Sequence, residues 1–185
     1  MKRLAAVLTV CVILCGCSGK DAELERAMNL RAKLLCSECA FDAEITADYG
    51  DVVYTFSVTC QGYSDGKLEF KVTAPESIAD ITGIADKNGG ELTFLDKALA
   101  FPLLADDQLS PAGAPYILLK TLQGGYLTAA NMENALLRLT IDDSYEDDAL
   151  TLDIWLNELD QPVRADILYD GRRILAMTVS NFRIL

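Results

Sequence analysis

The stretch "CAFDAEITADYGDVVYTFSVTC", residues 39–60, decides how the rest of the chain is read. Apolar and polar residues alternate on either side of Asp48-Tyr49-Gly50-Asp51, the pattern of two strands that each bury one face. One face carries Phe41, Ala43, Ile45 and Ala47 against Val52, Tyr54, Phe56 and Val58. The other carries Asp42, Glu44, Thr46 and Asp48 against Asp51, Thr55, Ser57 and Thr59, with Val53 the exception. With Tyr49-Gly50 as a two-residue loop, Asp48 faces Asp51 and Cys39 faces Cys60. That pair falls on a non-hydrogen-bonded site, where Cα atoms are about 4.5 Å apart. A Cys39–Cys60 disulfide is therefore expected, with about 3 kcal/mol from closing the loop. Cys36 is left as a structural thiol or as the partner of Cys39 in place of Cys60. A single Cys-x-x-Cys without histidine is a weak sign of redox or zinc chemistry.

Upstream, "MKRLAAVLTVCVILCGC" has a basic start at Lys2 and Arg3 and an apolar run from Leu4 to Leu14. This is the layout of a secretory signal peptide, too short to span a bilayer as a stable helix. "LCGC", residues 14–17, resembles the lipobox of bacterial lipoproteins, which implies cleavage before Cys17 and lipidation of its thiol. Two acyl chains, at about 0.8 kcal/mol per buried CH₂, hold a protein on a membrane durably. The expected organisation is a leader over 1–16, a lipidated segment with an amphipathic helix over 17–38, and one domain over 39–185. The address that follows is the outer side of a cell membrane, reached through the lipid anchor.

The net charge is −12, and cleavage before Cys17 would also remove Lys2 and Arg3. Such a surface repels nucleic acid, so none is expected as a partner. There is no histidine in the chain. That excludes a Ser-His-Asp or Cys-His centre and the common His-containing metal sites. No phosphate loop, nucleophile elbow or internal repeat appears. Asp142, Asp143, Glu146, Asp147 and Asp148 crowd one turn but lack the order of a calcium loop, so a solvated turn is expected. No cofactor or metal is expected, and the domain is read as binding rather than catalysing.

Residues 21–36 place Leu24, Ala27, Met28, Leu34 and Leu35 near helical spacing, interrupted by Arg31, as an amphipathic helix packed on the core. After Ser64-Asp65-Gly66, "GKLEFKVT" puts Leu68, Phe70 and Val72 on one strand face. Short strands follow near Ile81 and through Leu92 and Phe94, and 98–109 reads as a loop with short extended pieces. "SPAGAPYILLKTLQGG", residues 110–125, is a second helix with proline in its first turn and glycines at its end. "TAANMENA", 128–135, reads as one further helical turn. Four strands close the chain near 135–142, 149–157, 162–169 and 172–183, with Asp170-Gly171 turning the last hairpin. The final strand is apolar on both faces, which calls for a cover, either a helix or a bound hydrophobe.

"LEFKVTAPESI", "NGGELTFLD" and "LDIWLNELDQPVRADILYDGRRILAMTVSNF" set a strand–turn–strand rhythm. Together with the lipobox, the N-terminal helix and the mid-chain helix, they resemble the LolA/LolB-like lipoprotein carriers. The resemblance covers roughly 22–185 and implies an α+β, mostly β fold: an incomplete antiparallel β-barrel with a helical lid. It also takes in small germination lipoproteins of the GerS kind, which partner a cell-wall amidase. Two functions are implied. In one, the half-barrel holds lipid or acyl chains, lined by Phe41, Ile45, Tyr54, Phe56 and Leu118. In the other, the domain is a non-catalytic adaptor that binds a cell-envelope or cell-wall enzyme.

Overall fold

The computed structural model describes residues 18–50, 52–95, 97–101, 104–105, 108–146 and 149–185. Helix α1 (Ser18–Cys36) leads into β1 (Cys39–Asp48), β2 (Val53–Gly62) and β3 (Leu68–Ala74). Then come β4 (Thr82–Asp86), β5 (Gly89–Phe94), β6 (Lys97–Phe101) and a small hairpin, β7 (Leu104–Ala105) and β8 (Gln108–Leu109). Helix α2 (Ala114–Gly124) precedes β9 (Tyr126–Glu133), β10 (Leu136–Asp142), β11 (Thr151–Leu156), β12 (Pro162–Tyr169) and β13 (Arg172–Ile184). Eleven strands form one open antiparallel sheet in the order β6-β5-β4-β3-β2-β1-β13-β12-β11-β10-β9.

The sheet curls round α2. That helix packs against α1, β2, β3 and β10, yet β3 and β10 stand six places apart in the strand order. In a flat sheet those strands would be about 29 Å apart. A helix of this length reaches about 16 Å. Both arms can touch α2 only if the sheet folds round it, which makes the molecule the incomplete barrel expected. Tyr116, Ile117, Leu118, Leu119 and Leu122 of α2 are buried, as are Ala27, Leu30 and Leu34 of α1. The facing strand residues include Ile45, Leu68, Leu139, Leu152, Ile154 and Ile167.

The two helices hold each other by their ends. The last carbonyls of a helix have no partner within it. Buried Gln123 on α2 donates from Nε2 to the Leu34 carbonyl of α1 at 3.0 Å and to the Tyr63 carbonyl at 3.2 Å. Arg31 on α1 donates from Nε to the Leu122 carbonyl at 3.0 Å and from Nη2 to the Gly125 carbonyl at 2.7 Å. Arg31 is thus a clamp rather than an interruption of the helix face. Burial lowers its pKa from the usual guanidinium value.

Several elements differ from the sequence reading. Asp48 pairs with Val53, so the hairpin loop is four residues, and Phe41 rather than Cys39 lies opposite Cys60. The longer loop is held by Asp48, whose Oδ1 accepts from the Gly50 amide at 2.8 Å, with Gly50 at φ +87°. The slip is two residues, so the faces are unchanged, as the bond from Thr59 to Asp42 across the outer face shows. Cys39 now pairs with Gly62 and is diagonal to Cys60. Diagonal neighbours are about 7–8 Å apart, beyond disulfide reach without backbone movement. Cys36, Cys39 and Cys60 are all free thiols in this structure.

The expected helical turn at 128–135 is strand β9, and 97–101 is strand β6 rather than loop. Pairing with β10 overrides the helix propensity of Ala129, Ala130 and Met132, and Thr128 donates to the Thr140 carbonyl at 3.0 Å. The final strand is buried on one face only: Leu175, Met177, Val179 and Phe182 are core, whereas Thr178 and Ser180 are exposed. On α1 the expected stripe splits, because Leu24, Met28 and Leu35 are exposed.

Replacing Gln123 by alanine strips two carbonyls of their donor. The expected loss is about 1–3 kcal/mol of stability, read as a lower urea midpoint with unchanged slope. An unshifted midpoint would remove the clamp from the account.

Candidate functional site

The residues expected to line a ligand cavity divide into three groups. Phe41, Ile45 and Leu118 are almost wholly buried and belong to the packed core. Their neighbours include Phe182, whose ring stacks on Phe41 at 5.9 Å between centroids. Phe56 is half-buried against that core. Tyr54 is 55% exposed and meets Tyr49 edge-on at 6.1 Å. Cys17 lies outside the described residues.

Tyr54 and Phe56 stand at one end of the concave face, opposite Ala47 and Ile45 in the ladder. From there the same face continues across β4, β5 and β6. Gly83 pairs with Leu92 and Leu92 with Leu99, so all three face inward with Phe70, the partner of Gly83 on β3. Leu92 is half-buried, Phe94 is exposed, and Leu99 is 67% exposed. Over β10 to β13 this face is covered and dry. Over the β4–β6 wing it is apolar and open to solvent.

Two aromatic rings floor the wing, and both depend on glycine. A Cβ on Gly83 would lie 2.2 Å from Phe70 Cζ, and one on Gly90 would lie 2.2 Å from Phe101 Cζ. Each ring therefore lies flat across the glycine of the next strand. At Gly62 a Cβ would meet Leu119 Cδ2 at 2.6 Å and Cys39 Sγ at 2.9 Å. Gly62 is where α2 comes down onto β2. Nothing in the sequence signals these pairings, because glycine in a strand reads only as a weakness.

Beside that contact lie the thiols. Burial pushes Cys39 up to about 11, and Cys60 is raised well above the usual thiol value, first by burial and then by Asp42 and Cys39. Both are poor nucleophiles.

The outer face of the other arm is polar and internally paired, apart from Arg138 Nε, which is buried without a partner. Arg138, Trp155 and Arg164 are cross-strand neighbours in one row. The two guanidinium groups lie over the indole at 5.4 and 4.3 Å, and the indole donates to Glu133 at 3.3 Å. In the next row Asp153 pairs directly with Asp166. Like charges placed opposite destabilise a sheet unless they are compensated. Arg138 donates to Asp153 at 2.6 Å, Thr140 to Asp153 at 2.7 Å, Arg164 to Asp166 at 2.5 Å, and Arg173 to Asp166 at 3.4 Å. These bonds raise the Arg138 and Arg164 pKa values further, the bond to Asp153 leading for the first and that to Asp166 for the second. The carboxylate pair is spoken for by hydrogen bonds and is a structural feature of the sheet.

Asp142 and Asp143 in the acidic turn accept from Thr151 Oγ1 at 2.7 Å and the Leu150 amide at 2.8 Å. Among the described residues, no group of three His, Cys, Asp or Glu side chains is placed to hold a metal. Among the same residues, no helix is long and apolar enough to cross a membrane.

No protein-family model matches the sequence, and no curated protein matches it. Solved structures align with most of its length. A conserved protein from Thermus thermophilus is 9% identical, with 88% of this chain and 87% of that one aligned at a TM-score of 0.49. A LolA superfamily protein from Nitrosomonas europaea is 7% identical over 86% and 93% of the two chains, at 0.47. The lipoprotein LppX of Mycobacterium tuberculosis is 10% identical over 87% and 93%, at 0.42.

Trp155 is the single tryptophan of the chain, so its emission reports on the arginine stack. Arg164→Ala is expected to shift that emission to the red and open it to quenching by iodide. Unchanged emission and quenching would show that the stack does not shield the ring.

Proposed function

We propose that this chain is an extracytoplasmic lipoprotein, anchored through Cys17, whose half-barrel takes a hydrophobic ligand on the open part of its concave face. One observation carries the reading. Tyr54, Phe94 and Leu99 are exposed on the face of the sheet that elsewhere forms the core. Apolar surface costs about 25 cal/mol for each Å² left in water, and a concave apolar surface is where a ligand recovers that cost. The ligand seat is therefore the β2–β6 wing, with Tyr54 and Phe56 at its rim. Phe41, Ile45 and Leu118 belong to the packed core that adjoins it. An acyl chain suits it: long, apolar, and without polar groups that would need partners. The residues on this face are aliphatic and aromatic, which fits binding without turnover.

A second reading draws on the free edge of the sheet. Among the described residues β6 ends the strand order and leaves one side of its backbone unpaired, next to Leu99. A partner strand from a cell-envelope protein could add to that edge. In that case the wing is an adaptor surface.

An environment-sensitive apolar dye is expected to brighten with the mature domain and to be displaced by fatty acid. Phe94→Asp with Leu99→Asp, both at exposed positions, is expected to weaken the dye about tenfold or more while leaving the urea midpoint nearly unmoved. Undiminished dye binding in the double variant would place the site elsewhere. Dye-free protein that instead forms a stable complex with a wall enzyme would favour the β6 edge. Labelled palmitate is expected to enter the wild type and not Cys17→Ala; equal incorporation would refute the anchor.

A further inference from the structure

We infer that one exposed side of α1 rests in the surface of the bilayer, so that the domain lies on the membrane along this helix; the inference rests on the anchor at Cys17. Ser18, the residue directly after Cys17, is already the first residue of α1. No linker separates the attachment point from the folded body. The helix therefore starts at the headgroups, and whichever side it presents to them is set by the helix itself.

That side is apolar and uncovered. At 100° per residue, Leu24, Met28, Ala32 and Leu35 fall within about 80° of arc, apart from the buried side formed by Ala27, Leu30 and Leu34. Leu24, Met28 and Leu35 are 46%, 47% and 50% exposed. The stripe begins about 9 Å along the axis from Ser18 and ends about 26 Å from it, a run of about three turns on one side. Three large apolar side chains in one line, starting beside a lipid attachment, are the arrangement of an interfacial helix.

The surroundings agree. Beside Leu24 an open groove of about 440 Å³ runs along the edge strand β9 past Leu127 and Ala130. Its lining is mixed, with Thr128 and Asn131 beside Leu127, Ala129 and Ala130, so it extends the apolar line of the helix only in part. Of the four basic side chains of α1, Arg26 and Arg31 are engaged with Asp160 and the end of α2, so the helix meets the bilayer through its apolar line rather than through charge.

The test uses the full lipidated protein in vesicles of phosphatidylethanolamine with one third phosphatidylglycerol. Spin labels are placed at Met28→Cys, and separately at Glu91→Cys on the far wing, each with Cys36→Ser so that the exposed native thiol is not labelled. The lipid on Cys17 is verified by mass for each sample. The label at 28 is expected to be about fivefold less accessible to a water-soluble nickel chelate than the label at 91, and more accessible to dissolved oxygen. Leu24→Asp with Leu35→Asp is expected to restore nickel access at 28 without loss of the anchor. Equal nickel access at 28 and 91 in protein of verified lipid mass overturns the inference and leaves the anchor standing. An unmodified Cys17 in protein that floats free of vesicles overturns both. Shielding of position 28 without vesicles, by a second copy or by retained residues 4–14, assigns the stripe another cover and overturns the inference too.

Discussion

The helix layer depends on a reciprocal exchange of hydrogen bonds between helix ends. Gln123 reaches from α2 to the last turn of α1, and Arg31 reaches from α1 to the last turn of α2. Each side chain satisfies carbonyls that its own helix does not own. Because both donors are partly or wholly out of water, neither carbonyl has an equal alternative. The exchange fixes the two helices end to end, and α2 in turn fixes the curvature of the sheet by touching β3 on one arm and β10 on the other. The concave face, its dry half and its open half all follow from where α2 is held.

Most of this architecture was legible in the sequence, and the misses have physical causes. Alternation of side chains placed β1, β2 and β3 on the correct faces, since burial on one face fixes parity; the last four strands were located, but the final one was read as apolar on both faces and is buried on one. Parity is silent on loop length in steps of two. Tyr49-Gly50 looked like a complete turn, but the bond from the Gly50 amide to Asp48 builds a wider one, and the cysteine pairing slid with it. β9 and β6 were missed because they are edge strands with weak alternation, held by pairing with one neighbour each. In α1, spacing alone could not separate the buried line of Ala27, Leu30 and Leu34 from the exposed line of Leu24, Met28 and Leu35. Both have helical period, and they lie side by side.

The candidate site was half legible. The aromatic and aliphatic face of the first hairpin was identified, but its depth was not. Phe41 and Ile45 are packed core, Phe56 is half-buried against it, and Tyr54 is exposed. The open wing was hidden because its floor is made by pairs, Phe70 with Gly83 and Phe101 with Gly90. Each member of such a pair is ordinary in the sequence, and the pairing exists only once the strands are in register. The outer face follows the same logic: Trp155 is kept from water because two arginines from neighbouring strands close over its ring.

The contacts of α1 also bear on mechanics. Arg26 binds Asp160 at 2.6 Å and the Asn157 carbonyl at 3.0 Å, and Arg31 binds the carbonyls at the end of α2. Ala27, Leu30 and Leu34 are seated between and beyond them. A tug along the axis from the Ser18 end strains all of these together, in shear, as a load shared by several rivets. A tug across the axis would strip them one at a time. The helix is thus a tension member, strong against a pull along its axis from the Ser18 end and weak against one that would peel it.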